Sequence, residues 1–414
     1  MQVLFQISFL LMLAVPTTYQ APRGALLLLL EAGVAIAIAQ GRWIANRDIV
    51  VLSALTVGVS LFGMLRGLLG DAPGAIAVGS VYVVWPLAFM SFIGLATSPQ
   101  LLYPFRRTII AGACIASLMG FWVFLDAAGL HIPGAKDFLM GQGAAVGLHN
   151  GYIAYRLFNM GTLIYALPFL IALLFMPRYL SKLSRGMRWA AWIALVATSL
   201  AMLVSGRRSF WLIGMVAPLL AVFFMWVTNT LTRQTVVRAV VTCSGLLVVA
   251  ILVVVMLKFK LSALVSDFVA GFDFSGHGSV ESSLRASQFV DLIGGWQREP
   301  LFGAGQGMPA PHVIRSALTP WAYELSYVAL LYQAGLLAFV IYALAVLWIF
   351  FAAVKLVRAQ PEAAGLLIPM LVGLTGFLIS NATNPYLGKF DYLWTLFLPV
   401  AVINAYTVQS RPST

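Results

Sequence analysis

Residues 323–350 read YELSYVALLYQAGLLAFVIYALAVLWIF, and Glu324 is the one charged side chain in that stretch. An uninterrupted apolar run of this length covers the roughly 30 Å hydrocarbon core of a bilayer when coiled as a helix. Working outward, blocks of the same kind recur along the chain, with expected spans at 3–19, 24–40, 49–65, 75–95, 108–128, 159–176, 189–204, 209–228, 239–256, 323–350, 363–379 and 392–408. The fold class predicted is therefore all-α, a polytopic helical bundle of about twelve transmembrane helices. It forms a single integral membrane domain over 1–414, with residues 257–322 inserted as a large periplasmic helical segment between helices 9 and 10.

Composition agrees with that reading. Of 414 residues, 61% are hydrophobic and 9% charged, with mean hydropathy +0.95. A soluble globule carries about a quarter charged residues, and no polar block here is long enough to fold alone in water. The net charge of +12 would suggest nucleic acid in a soluble chain. Here the basic residues flank apolar blocks, where they set topology and meet anionic headgroups, so no nucleic-acid partner is expected. Cys114 and Cys243 both sit inside apolar blocks, which leaves no disulfide framework and no CxxC site. No Lys or Arg precedes the first apolar run, MQVLFQISFLLMLAVPTTYQ, so it reads as a retained span rather than a cleaved leader.

Charge asymmetry gives the expected orientation. With both termini cytoplasmic, the inner connections and the C-terminal tail carry 13 of the 25 basic residues, opposed by Asp48 and Glu362 alone. The short outer connections carry Arg23, Arg66, Arg207, Arg208 and Lys389, and ten of the 13 acidic residues fall outside. Two outer segments are long, about 129–158 and 257–322, and the second far exceeds what a connection needs. Within it, Ser279 as cap, Glu281 in the first turn and apolar Leu284, Phe289, Leu292, Ile293 and Trp296 predict an amphipathic helix over 280–294, ended by Gly294-Gly295 and lying on the outer leaflet or bundle mouth. A turn with Gly303, Gly305 and Gly307 follows. There is no internal repeat and no matched pair of broken helices of the kind that marks inverted-repeat transporters.

Candidate chemistry concentrates on that outer side. Arg207-Arg208 stand between two spans with almost no loop, either snorkelling to headgroups or gripping a lipid-linked diphosphate beside helix-end N–H groups; the second reading leads. Arg285 has the same two readings. Gly303, Gly305 and Gly307 are a possible phosphate-binding turn, although a plain flexible turn is the commoner meaning of a glycine run. Glu324 opens a span, as a helix-dipole partner or as a general base, and the two stand even. Glu31, mid-span, should face the bundle interior as a packing element rather than part of a proton path. His131, His149, His277 and His312 lack metal-ligand spacing, and no nucleophile signature occurs, so neither metal nor cofactor is expected.

The order of features over residues 195–350 resembles the O-antigen ligase and polymerase family of bacterial envelope enzymes. The carriers are an Arg between spans seven and eight, the large outer segment between nine and ten, Arg285, Trp296, Pro300-Leu-Phe-Gly-Ala-Gly, and an acid eleven residues before Gly335-Leu. The resemblance implies a GT-C-like bundle in the bacterial inner membrane with a periplasmic active site. It implies an undecaprenyl-diphosphate-linked glycan as donor and a glycan or lipid A core as acceptor. Carried over, Arg207, Arg208 and Arg285 look like diphosphate-binding arginines, and Glu324 with Arg285 the catalytic pair. Where ligases read His-Asn this chain reads Glu324-Leu325, which tilts the implied activity toward a polymerase of O-antigen, capsule or exopolysaccharide repeats, with ligation to lipid A core a close second. A transporter or flippase of the same lipid-linked glycan is the alternative, but it needs polar residues through the spans, and Glu31 is nearly alone there. A structural or assembly role would leave Glu324 and the arginines replaceable.

Overall fold

The computed structural model describes residues 2–16, 18–130, 137, 145–149, 152–205, 207–256 and 280–410. Helices dominate the described residues, with almost no strand, so the all-α expectation agrees with the fold. In chain order they are α1 (Gln2–Ala14), α2 (Gln20–Ala39), α3 (Arg47–Leu69), α4 (Ala75–Ile93), α5 (Tyr103–Ala127), α6 (Met160–Phe175), α7 (Arg185–Val204), α8 (Arg208–Val227), α9 (Arg233–Met256), α10 (Val280–Arg298), α11 (Ser326–Ala359), α12 (Ala364–Asn381) and α13 (Trp394–Gln409). A two-stranded antiparallel hairpin, β1 (Ala145–His149) and β2 (Tyr152–Arg156), interrupts the series with Ala145 opposite Arg156.

Every expected apolar block coincides with a helix, and among the described residues nine helices are long and apolar enough to cross a bilayer. Large apolar side chains on their outer faces stay exposed, including Leu219, Trp226, Val240 and Val241. Such surfaces are tolerable against hydrocarbon and not against water. The chain is a multi-pass membrane protein.

Three blocks give shorter helices: α1, α6 and α13 have 13, 16 and 16 residues. All sixteen residues of α6 are buried, which explains its near-continuous apolarity without requiring contact with lipid. The expected first span over 3–19 stops at Ala14, because Pro16 holds Val15 away from helical geometry. The carbonyls left over are met by side chains: Asn159 Nδ2 donates to Ala14 O at 3.2 Å, Thr162 Oγ1 to Leu13 O at 2.8 Å, and Arg23 to Thr18 O at 3.2 Å.

The chain packs as two compact units, each gathered from three stretches: Met1–Gly33, Pro99–Phe268 and Ala353–Ser380 in the first, and Val34–Ser98, Val269–Ala352 and Asn381–Thr414 in the second. In the first, α6 is the core, with α5, α7 and α8 packed on it and α1 against α5. Gly112 permits that last approach, since a Cβ there would lie 2.7 Å from Leu13 Cβ.

In the second unit, α3, α4 and α13 pack together, with Trp85 stacked on Phe390 and Phe89 on Phe397. α4 widens into a π turn over Ser80–Val84, just ahead of Pro86, which has no N–H to continue the ladder. Buried Asn404 on α13 fastens the link between α2 and α3. Its Nδ2 donates to Ile44 O and Ile93 O, both at 3.0 Å, and its Oδ1 accepts from Asn46 N at 2.8 Å. Replacing it takes the partner from the Ile44 carbonyl and the Asn46 N–H, while Ile93 O keeps its bond from Ala96 N. Asn404→Leu is expected to cost about 2–4 kcal/mol, read as a lowered melting temperature of the detergent-solubilised protein.

Candidate functional site

The second unit carries a layer made of α10, the connection 299–325 and the start of α11. The layer begins with a discontinuity in α11. Gly335 has φ 76° and ψ 174°, so the helix ladder stops there, leaving carbonyls before the break and N–H groups after it. Residues 300–305 supply the partners. Ala304 N donates to Tyr332 O at 2.9 Å and Gly305 N to Gln333 O at 3.0 Å, while Leu336 N donates to Pro300 O at 2.9 Å and Leu337 N to Leu301 O at 3.1 Å. The two short motifs Pro300-Leu-Phe-Gly-Ala-Gly and Gly335-Leu are thus halves of one backbone joint.

The glycines of the 303–307 turn serve this joint. Gly303, Gly305 and Gly307 all have positive φ, and at each a Cβ would run into backbone: Gly335 N at 2.5 Å from Gly303, Gly67 Cα at 2.7 Å from Gly305, and Gly74 C at 2.1 Å from Gly307. The expectation of a phosphate-binding turn fails on the same geometry. The N–H groups of residues 303 to 306 already donate to Glu299 O, Tyr332 O, Gln333 O and Gly63 O, and are not available to a ligand. Nor is the turn flexible, being clamped to α3, α4 and α11. Gly305→Ala is expected to cost about 2–4 kcal/mol from the strained φ and the contact with α3, measured as loss of folded protein on heating.

α10 runs to Arg298, through the glycine pair expected to end it at 294. Gly295 is needed for closeness rather than termination: a Cβ there would lie 2.6 Å from the Tyr332 ring. The expected cap Ser279 lies outside the described residues, as do His131 and His277. Along α10, Leu292 is fully buried in a small core with Ala310, Tyr323, Ala329 and Tyr332, and Trp296 packs at its edge. Leu284 and Phe289 remain half-exposed, leaving the apolar face divided between this core and the surroundings.

This packing brings Arg285 to Glu324, 39 residues apart in sequence: Arg285 Nε donates to Glu324 Oε2 at 2.7 Å. A third residue that sequence reasoning missed completes the cluster, with the terminal nitrogen of Arg315 lying 2.7 Å from Glu324 Oε1. Each carboxylate oxygen therefore holds a different guanidinium. Glu324 is not in the first turn of α11. It lies two residues ahead of Ser326, with its N–H 3.4 Å from Oε1 of the buried Gln288, so the helix-dipole role gives way to the double ion pair. Hydrogen bonds to charged groups contribute roughly 1.5–3 kcal/mol each, more than a solvated surface pair. The trio has two positive charges and one negative, a residual charge of one that favours an anion.

Beside it, Asp291 clasps the connection. Its carboxylate accepts from His312 N at 2.8 Å, Val313 N at 2.7 Å and the His312 ring at 2.9 Å. Burial pushes the Asp291 carboxyl up, but these hydrogen bonds and the charge of His312 outweigh it and hold the group below its ordinary value of 3.8. Tyr323 braces the same segment, its hydroxyl accepting from Ala310 N at 2.5 Å and donating to Val313 O at 3.2 Å; burial raises that hydroxyl. Arg66 at the end of α3 pairs with Glu299 and donates to Gly303 O.

The other expected residues lie in the first unit. Arg207 is extended at φ −93° and ψ 121°, its carbonyl accepting from Phe210 N, and Arg208 begins α8. Glu31 lies part-buried on α2. Among the described residues no three His, Cys, Asp or Glu side chains gather as a metal site. No protein-family model, curated protein or solved structure matches the chain.

The Asp291 clasp gives a pH prediction. A carboxyl depressed in the folded state stabilises fully above its ordinary value and loses that contribution as pH falls through the lower folded value. Amide exchange at His312 and Val313 should stay slow at about pH 5 and accelerate as pH falls below about 4, whereas in Asp291→Ala it should be fast at both.

Proposed function

We propose that this chain is a membrane glycosyltransferase of the O-antigen ligase and polymerase type. On this reading a GT-C-like bundle in the bacterial inner membrane, both termini cytoplasmic, transfers an oligo- or polysaccharide from undecaprenyl diphosphate to a sugar hydroxyl on the periplasmic side. Polymerisation of O-antigen, capsule or exopolysaccharide repeats is favoured over ligation to lipid A core. The single observation that carries this reading is the contact of Arg285 with Glu324 at 2.7 Å. It joins a carboxylate able to accept a proton to a cation able to bind a phosphate, in a multi-pass membrane protein.

The chemistry needs those two groups. The acceptor hydroxyl oxygen forms the new bond to the anomeric carbon, and its proton passes to the Glu324 carboxylate. The bond from the anomeric carbon to the diphosphate breaks, and its electron pair leaves on the phosphate oxygen, where guanidinium charge stabilises it. Attack from the face opposite the leaving group inverts the anomeric configuration, and a leaving group this acidic, once bound by guanidinium charge, departs without a metal or other cofactor.

Purified protein supplied with lipid-linked donor and glycan acceptor provides the test. Glu324→Gln is expected to lower turnover about 100-fold to 10,000-fold, with Arg285→Ala and Arg208→Ala reducing it through donor binding. Unchanged transfer in all three would remove the proposal.

A further inference from the structure

The pairing of Glu324 with two arginines raises a chemical difficulty for a base. With a guanidinium on each carboxylate oxygen, an acceptor hydroxyl has to displace one of them to reach Glu324. The two arginines are not held alike. Arg285 projects from α10, which is anchored by buried Leu292 and by Gln288 against the backbone of Glu324. Arg315 projects from the connection just past the Asp291 clasp at 312–313. Among the described residues, 314 to 318 form no backbone hydrogen bond, and Ile314 and Leu318 on either side are largely exposed. Arg315 can therefore swing away together with its backbone at the cost of a single ion pair, whereas the backbone of Arg285 is fixed in α10.

We propose that Arg315 is an exchangeable cover on Glu324: an incoming diphosphate draws the Arg315 guanidinium off Oε1, so that the carboxylate is released as a base only when a donor is bound. This rests on the reading of Glu324 and Arg285 given above. A diphosphate carries more charge and more acceptor oxygens than a carboxylate and fits the arginine fork in two-point fashion, so it competes well for the same group. Glu324 thus stays engaged on both oxygens in the resting enzyme and is freed on Oε1 once a donor diphosphate is in place. Arg315 acts through Glu324 and is a positioning residue.

The exchange makes opposite predictions for the two partners. Inorganic pyrophosphate is titrated calorimetrically into the full-length protein in detergent, as wild type, Glu324→Gln, Arg315→Ala, Arg315→Lys and the Glu324→Gln/Arg315→Ala double variant, with undecaprenyl diphosphate titrated in parallel. Removing the competing carboxylate charge should tighten pyrophosphate binding about tenfold. Losing Arg315 should weaken it about tenfold, Lys should lie between, and the tightening seen in Glu324→Gln should vanish in the double variant. Undecaprenyl diphosphate should follow the same order with higher affinity throughout, since the tail adds binding without touching the exchange; equal affinity for the two ligands would assign the site to free pyrophosphate and overturn the donor-gated form. Equal pyrophosphate affinity in wild type, Glu324→Gln and Arg315→Lys would overturn the exchange, even with transfer still dependent on Glu324. Absence of pyrophosphate and lipid diphosphate binding in every form, wild type included, would remove the diphosphate reading of the site as well. Melting temperatures run alongside identify any variant that has lost its fold, and the Lys variant keeps the comparison open if Arg315→Ala is one of them.

Discussion

A helix that stops inside a membrane protein exposes carbonyl and N–H groups, each costing several kcal/mol where water cannot reach them. The joint between Gly335 of α11 and residues 300–305 resolves this for the second unit. Two carbonyls and two N–H groups at the break are satisfied by the glycine-containing turn of the connection. Glycine is required on both sides, because the two backbones approach more closely than any Cβ permits: one built on Gly335 would lie 2.4 Å from Leu301 O and one on Gly303 2.5 Å from Gly335 N. Once 300–305 is fixed, Gln306 and Gly307 follow onto α3 and α4, and the rest of the connection has little freedom left.

The position of Glu324 is a consequence. The connection leaves the joint at 307, is held at 310 and 313 by the hydroxyl of Tyr323, and is clasped at 312–313 by Asp291. Tyr323 is itself buried beside Leu292 of α10. One small apolar core therefore sets α10 and the end of the connection together, which places Arg285 from one and Arg315 from the other against the same carboxylate. Charge–charge attraction refines this arrangement but does not create it. The ion pairs fix one carboxylate, whereas burial of Leu292, Tyr323 and Tyr332 positions the two segments that carry its partners.

A site built this way separates a rigid cation from a movable one. α10 is a nineteen-residue helix with a buried face, while the segment bearing Arg315 follows a clasp and then runs without backbone hydrogen bonds. A negatively charged ligand approaching such a trio meets a net positive field and one partner that can change hands. The Glu324 carboxylate in an acid-poor protein is thereby kept as part of a satisfied cluster rather than as an isolated charge, which a poorly solvated setting would penalise.

What the sequence by itself determined is what local physics controls. Apolar run length set the positions of the helices, because a helix of given length must match either a bilayer or a buried core. The apolar stripe after residue 280 announced a helix, and the scarcity of charge singled out Arg285 and Glu324. Tertiary structure alone decided that α6 is enclosed, that Gly294-Gly295 continues a helix and that the 303–307 glycines pack backbone on backbone. It alone brought Arg315 to Glu324, because nothing in the spacing of 315 and 324 says which way a nine-residue connection will turn. Chain length and side-chain chemistry fix what each segment can satisfy internally; the unsatisfied remainder, here four backbone groups at Gly335 and two oxygens of Glu324, is assigned by whichever distant segment packing brings within reach.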